Sequence, residues 1–364
     1  MRKLVFMFAL LNFAICSAYA QLFPALGSQR AGISTAQFLK IGVGARAVGM
    51  ADAFVANATD ASALYWNPAG IVQFDGNEII LTHTNWVVDV KHDFIGGVYH
   101  LSRSDAIGLS LTTLYTDDME ITTETQPYGT GRYFKYIDLA LGLTYARRLT
   151  NQFSFGLTVK YIDETIDVLK MRGFLIDLGT FYWIGLGTSR FAVSISNFGG
   201  DIAPKGEVTL LNGEKITSFQ SFSPPTMFRF GFAFEPVMNE VHRLTTAIQL
   251  NHPNDNAENF GFGVEYGFKK SFFIRGGYKI NADEQDFTFG AGVALKMAGL
   301  NLNFDYPTRF EVQASKSSAH LPTDKAPLKK QQSYHHQWDY RMGYRAPKSC
   351  TSRGNIFRVP HQKL

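Results

Sequence analysis

From Glu78 onward, apolar and polar positions alternate with a period of two, as in strands with two unlike faces. Phe153, Phe155, Leu157, Val159 and Tyr161 share one face; Ser154, Gly156, Thr158 and Lys160 share the other. Phe228, Phe230, Phe232 and Phe234 likewise oppose Arg229, Gly231, Ala233 and Glu235, and Phe260, Phe262, Val264, Tyr266 and Phe268 oppose Gly261, Gly263, Glu265 and Gly267. The apolar face is unbroken, while the other is mostly Gly, Ala, Ser and Thr with isolated charges. A soluble sandwich would load its polar face with Lys and Glu; small residues suit the crowded inside of a barrel whose outside meets lipid. Segments of about ten residues alternating in this way are the mark of outer-membrane strands, and among sheets only a closed barrel satisfies every backbone group in lipid. The pattern therefore predicts an all-β fold, a transmembrane antiparallel β-barrel over 78–306.

Strands are expected near 78–90, 92–101, 105–116, 134–147, 152–163, 173–184, 189–197, 226–235, 241–251, 259–268, 271–279, 286–296 and 299–306. Long connections (117–133, 164–172, 198–225, 252–258, 280–285) alternate with tight ones (102–104, 148–151, 269–270, 297–298), as outer loops alternate with periplasmic turns. The short connection near Lys91 is the exception. Thirteen strands are one short of an even count, so about 14 are expected, with the last missing after Tyr306. Residues 307–364 lose the alternation, carry Pro307, Pro322, Pro327, Pro347 and Pro360, and offer only the short run Asn355 to Val359. They read as an out-of-frame version of the closing strand, or else as a basic periplasmic extension that binds an anionic partner. On either reading the barrel is expected to close poorly and the tail to be largely disordered.

Residues 21–77 differ from the strands that come after them. Gly44, Ala45, Arg46, Gly49 and Met50 belong to a Gly- and Ala-rich run with one cation. Asp60 and Ser62 can cap a short helix, and Asn67 before Pro68, Ala69 and Gly70 reads as a second cap with proline at the first helical position. Ahead of a barrel, such a small-residue segment is a plug in the lumen; ahead of a soluble domain it would be a loop and helix. Arg46 is expected to anchor the plug to a wall carboxylate, Asp138, Asp177 or Glu265, because an unpaired charge in a narrow lumen is costly. Gly231→Ser on the inward face is expected to be tolerated.

The runs GARAVGMADAFVA and DASALYWNPAGI resemble the N-terminal region of the PorV/PorQ family, within the FadL-like (OMPP1/FadL/TodX) outer-membrane barrels. The likeness is sharpest in Gly44 to Met50 and in Asn67 to Gly70; Asp52 stands where the family often has a small residue. The resemblance implies a component of a type IX protein export pathway that handles secreted cargo with other export proteins. The wider FadL likeness implies instead passive uptake of a hydrophobic solute.

Residues 1–20 read as a cleaved signal peptide: Arg2 and Lys3, an apolar run to Ile15, then Ala18-Tyr19-Ala20. Export by this signal, together with the barrel pattern and the family resemblance, leads to the expectation of a mature chain in the outer membrane of a Gram-negative-type bacterium, with membrane lipid as its first partner. Cleavage removes Cys16 and leaves Cys350 alone, so no internal disulfide forms. Residues 307–364 hold 11 basic and 3 acidic residues, whereas 21–306 hold 22 and 28. The net +4 therefore belongs to the tail and signal and gives no reason to expect nucleic acid. No H-E-x-x-H, G-x-S-x-G or Walker A motif occurs, and the plug glycines lack dinucleotide spacing. No catalytic residue, metal site or cofactor is expected, and an enzyme is the least favoured class. His83, His92 and His100 are expected to be solvated or hydrogen-bonded near the rim. Asp163, Glu164 and Asp167 are expected to be a solvated loop cluster.

Overall fold

The computed structural model describes residues 34–310 and 336–340, apart from 87–88, 211–212, 282–286 and 298–299. The expected signal peptide, Cys350 and most of the tail lie outside these. Thirteen long strands form one antiparallel meander. They are β1 (Glu78–Asn85), β2 (Lys91–His100), β3 (Asp105–Tyr115), β4 (Tyr136–Arg148), β5 (Phe153–Ile166), β6 (Leu169–Trp183) and β7 (Arg190–Phe198). After a long loop come β8 (Met227–Met238), β9 (His242–Pro253), β10 (Asn259–Phe268), β11 (Phe272–Ile280), β12 (Phe287–Met297) and β13 (Leu300–Phe310). Each pairs with its neighbours in sequence, as a barrel wall requires. Among the described residues, no helix is long and apolar enough to cross a membrane.

The alternation read from the sequence sorts the side chains. Along β8, Arg229, Gly231 and Ala233 are buried while Phe230 is exposed; along β5, Ser154, Gly156, Thr158 and Lys160 are buried while Phe155 and Val159 are exposed. Exposed Leu143, Phe230, Phe262, Ile274 and Phe289 continue an apolar outer surface around the wall. The two local irregularities have visible causes. Register slips between Phe234 and Val237, where Pro236 has no N–H for the ladder. It also slips between Ile176 and Leu178, where Asn197 takes a positive φ and donates its N–H to Asp177 at 2.7 Å.

Three expectations change here. The charged stretch 164–172 is no loop: β5 and β6 run on to a two-residue turn at Asp167-Val168, with Asp167 in the left-handed region. Pro307 does not end the last long strand; it lies within β13, opposite Gly290. The tail does supply a strand, though not the one expected. The thirteen long strands leave a seam between β1 and β13, and a five-residue strand, β14 (His336–Tyr340), lies in it. It pairs with β1 over Leu81–Asn85 and with β13 at Phe304, Asp305 and Thr308. Five residues are well short of the roughly 9–11 a tilted spanning strand uses, so the seam is bridged over only part of its height. The run 355–359 lies outside the described residues.

Candidate functional site

The lumen holds residues 34–77. They start at the long-loop end of the barrel, where Thr35 N–H bonds the Ser223 carbonyl, and finish at the tight-turn end, where Trp183 Nε1 donates to Gln73 at 2.9 Å. Helices here are single turns: 3-10 turns at Gln37–Lys40 and Pro68–Val72, and α1 (Ala45–Val48) and α2 (Ala63–Trp66). Such short helices cannot stand alone in water; packing holds them. Phe54, Met50, Leu64, Trp66 and Ile71 are fully buried and form one core with inward wall residues such as Ile80, Phe94 and Phe181. Trp66 satisfies its indole N–H on the Val43 carbonyl at 2.7 Å, and Tyr65 its hydroxyl on the Leu39 carbonyl at 3.0 Å.

Each residue of the plug motif has a place in this packing. Gly44, at φ 90°, turns the chain into α1, and its carbonyl accepts from Ala47 and Val48. The Ala45 carbonyl accepts from Gly49, whose Cα lies against Gly290. Asp60 accepts from both the N–H and the hydroxyl of Ser62, but the Ser62 side chain does not itself cap α2. Asn67 does cap the following turn: its side-chain oxygen accepts from Ala69 N–H at 3.1 Å, with Pro68 at the first helical position. Its amide also donates to the carbonyls of Val55 at 3.2 Å and of Thr180 on β6 at 3.0 Å, tying plug to wall. Gly70 passes so close to the Ala58 carbonyl that a Cβ would overlap it.

Glycines of the wall meet the plug in the same way. A side chain on Gly156 or Gly179 would strike Pro68, on Gly231 it would strike Val55, on Gly263 Met50 and on Gly277 the backbone at Met50 and Ala51. The inward small residues are therefore contact points at backbone distance. They are not spare volume: the serine expected to be tolerated at Gly231 would have to displace the Val55 side chain. Side chains complete the seat: Gln249 Oε1 accepts from Phe54 and Val55 N–H, and Thr288 Oγ1 accepts from Ala51 N–H.

Of the three carboxylates considered for Arg46, Glu265 is the partner. Arg46 donates from Nε at 2.9 Å and Nη2 at 2.8 Å to Glu265, and from Nη1 at 3.1 Å to Asp60. Arg275 donates to the same Glu265 at 2.6 Å and to Asp305 at 2.6 Å, so a chain of alternating charges runs from the plug into β10, β11 and β13. Asp177 instead pairs with Lys160 at 2.6 Å. A second bolt escaped the sequence reading. Arg190, 2 % exposed, donates to the Ala56 carbonyl, to Asn57 and to Glu235, which Arg243 also engages at 2.9 Å. Lys279 bonds Asp52, the position that departs from the family pattern. Lone charges on small-residue faces were the available signal for Arg190 and Lys279.

Other candidates move. His92 is fully buried on the inward face, not at a solvated rim, while His83 bonds Asp93 at 2.5 Å and His100 packs edge-on to Phe74. Asp163 pairs with Arg172 across the β5–β6 hairpin, and Glu164 points inward and binds the plug. Among the described residues, no three His, Cys, Asp or Glu gather as a metal centre.

Comparison with known proteins matches this architecture. A sequence model of the family described as "Type IX secretion system protein PorV" matches residues 26–253. No curated protein matches the chain. Among solved structures, the CymD monoaromatic hydrocarbon channel is similar at TM-score 0.54 and 12% identity, over 82% of this chain and 96% of that one. The Ralstonia pickettii toluene transporter TbuX is similar at TM-score 0.50 and 12% identity, over 82% and 98%. The Pseudomonas putida toluene transporter TodX gives TM-score 0.50 and 11% identity, over 84% and 99%. At such identities these neighbours establish the FadL-like barrel fold alone. The family match covers more than half of the chain, and with the barrel and its plug it shows that this protein belongs to the PorV family of outer-membrane β-barrels, the family of the type IX secretion system protein PorV.

Proposed function

We propose that this barrel is a non-conducting outer-membrane component of a type IX protein export pathway. On this reading its long-loop end faces outward and receives or passes on secreted cargo. The observation that carries the reading is the backbone-close contact between plug and wall glycines, reinforced by the Arg46–Glu265 and Arg190–Glu235 bolts. A solute path through such a lumen would require breaking several buried ion pairs at once, each costing about 3–5 kcal/mol when one partner is lost. A plugged, rigid lumen suits a platform for other proteins better than a conduit. Uptake of a hydrophobic solute is the second reading, favoured by the likeness in fold to the CymD and TbuX barrels.

Deleting the gene and restoring it separates the two. The proposal expects type IX cargo to stay cell-associated in the deletion strain and to reach the surface after complementation, with proteoliposomes of the purified protein taking up no toluene. Normal cargo export in the deletion strain, together with toluene uptake by the proteoliposomes, would overturn it.

A further inference from the structure

Exposed cations keep different company at the two ends of the barrel. At the long-loop end Lys91, Lys135, Arg172 and Lys215 pair with Asp117, Asp118, Asp163 and Glu207 at 2.6–3.1 Å. At the tight-turn end the β10–β11 connection is Lys269-Lys270-Ser271, and both lysines are exposed. Among the described residues neither forms an ion pair, and exposed Glu240 in the neighbouring β8–β9 turn joins neither of them.

The backbone of this turn is unusual for its side chains. Lys269 and Lys270 take φ of 51° and 56°. Glycine or asparagine enters that left-handed region at less cost, and short hairpins ordinarily place them there. The turn is also fixed: Lys269 donates its N–H to the Val241 carbonyl at 2.7 Å, and Ser271 to Phe268 at 3.0 Å. Two adjacent cations therefore start from one set place on the rim, in a conformation that their own type disfavours.

The outward face beside them is apolar and aromatic. Tyr266, Phe268, Phe272 and Ile274 are 36–67% exposed, and Lys269 Nζ lies 5.4 Å from the Phe268 ring centre. Exposed His242, on the adjacent strand, shares a 2.6 Å hydrogen bond with the Tyr266 hydroxyl. Aromatic rings at headgroup depth, with lysine stems lying along apolar surface and their ammonium groups in water, form the layout of a membrane interface.

We propose that the β10–β11 turn is a binding site for an anionic phospholipid. Lys269 and Lys270 hold the headgroup phosphate, and Tyr266, Phe268, Phe272 and Ile274 carry the first part of the acyl chains. The charge selects the lipid: with two ammonium groups and no carboxylate on them, a headgroup of net negative charge is favoured over a zwitterionic one, whose own cation meets a lysine.

The test uses the full-length protein in detergent, with phosphatidylglycerol or phosphatidylcholine added as mixed micelles. Native mass spectrometry reads the lipid retained, and a melt reads the thermal midpoint. The wild type should retain phosphatidylglycerol in preference to phosphatidylcholine and melt higher with it. The double variant Lys269→Asn, Lys270→Asn suits the left-handed turn and should melt at or above the wild type without lipid. It should hold phosphatidylglycerol about thirtyfold more weakly, since each cation near an anionic lipid surface contributes about fivefold in affinity. Three results would overturn the site. Equal retention of the two lipids by the wild type removes the charge selection. Unchanged phosphatidylglycerol retention by the variant puts the lipid elsewhere on the wall. A midpoint raised by inorganic phosphate as much as by phosphatidylglycerol makes the turn a site for free anions.

Discussion

Replacing Arg46 with alanine probes the bolt between plug and wall. The side chain is 16% exposed and makes three charge-assisted hydrogen bonds, two to Glu265 and one to Asp60. Bonds to charged groups contribute about 1.5–3 kcal/mol each, so the sum would exceed 4 kcal/mol if both carboxylates were orphaned. They are not: Arg275 still reaches Glu265, and Ser62 still donates twice to Asp60. Loss of the cation over the Phe54 ring, 5.1 Å away, adds a smaller term. The expected cost is near the low end for a broken buried pair, about 3 kcal/mol, which multiplies the population of plug-open states about a hundredfold. Hydrogen exchange reads this directly. Amides inside the plug, such as Gly49 and Val48, should exchange about two orders of magnitude faster, while wall amides hold their rates. Arg46→Lys keeps the charge but loses the two-pronged contact, and should fall between. If the plug amides of Arg46→Ala exchange no faster than wild type, glycine packing alone seats the plug and the bolt argument is wrong.

The same geometry supports other expectations. Phe230→Arg puts a cation on the lipid face at a cost of about 2–4 kcal/mol, and should abolish the heat-modifiable gel band of an assembled barrel. Gly231→Ser, one position on, should leave assembly intact but displace Val55 and expose the plug to protease; an undisturbed plug would refute the contact. Asp255 lies in the loop after β9; burial works against its charge, but hydrogen bonds from Gln37 and Lys40 prevail and hold its carboxyl below the usual aspartate range. A carboxyl depressed in the folded state stabilises above its unfolded value of about 3.9 and loses that contribution as pH falls. Melting midpoints of wild type and Asp255→Asn should therefore differ at pH 7 and converge in acid. Deleting residues 311–364 removes β14 and should lower the heat stability of the barrel; an unchanged midpoint would mean that the seam strand contributes nothing.

The wall was legible because its period of two is a direct image of lipid on one side and plug on the other. That Arg46 needs a wall carboxylate was legible because a lone charge in a narrow lumen must be paired, but which of Asp138, Asp177 and Glu265 it meets was not, nor was its bond to Asp60. The β5–β6 turn was not: Asp163, Glu164 and Asp167 look like a solvated loop until the ladder shows Asp163 paired outward with Arg172 and Glu164 turned inward to Thr35. His92 misled for the same reason, since polarity alone does not say which side of a strand faces a filled lumen. The role of Gly156 or Gly277 is invisible locally, because what makes glycine necessary there is a backbone more than eighty residues away. The strand at 336–340 carries no alternation strong enough to stand out from a basic tail.

The close meeting of wall glycines and plug backbone has a consequence for the order of events during biogenesis. A segment that meets the wall at main-chain distance on β5, β6, β8, β10, β11 and β12, with side chains hooked behind it, cannot be threaded into a finished cylinder. The strands must curl around a plug already in place. Chain order allows this, since residues 34–77 precede β1, and the partly bridged seam between β1 and β13 is where the cylinder would shut last. The plug then acts as a mandrel: it sets the bore of the barrel that forms on it.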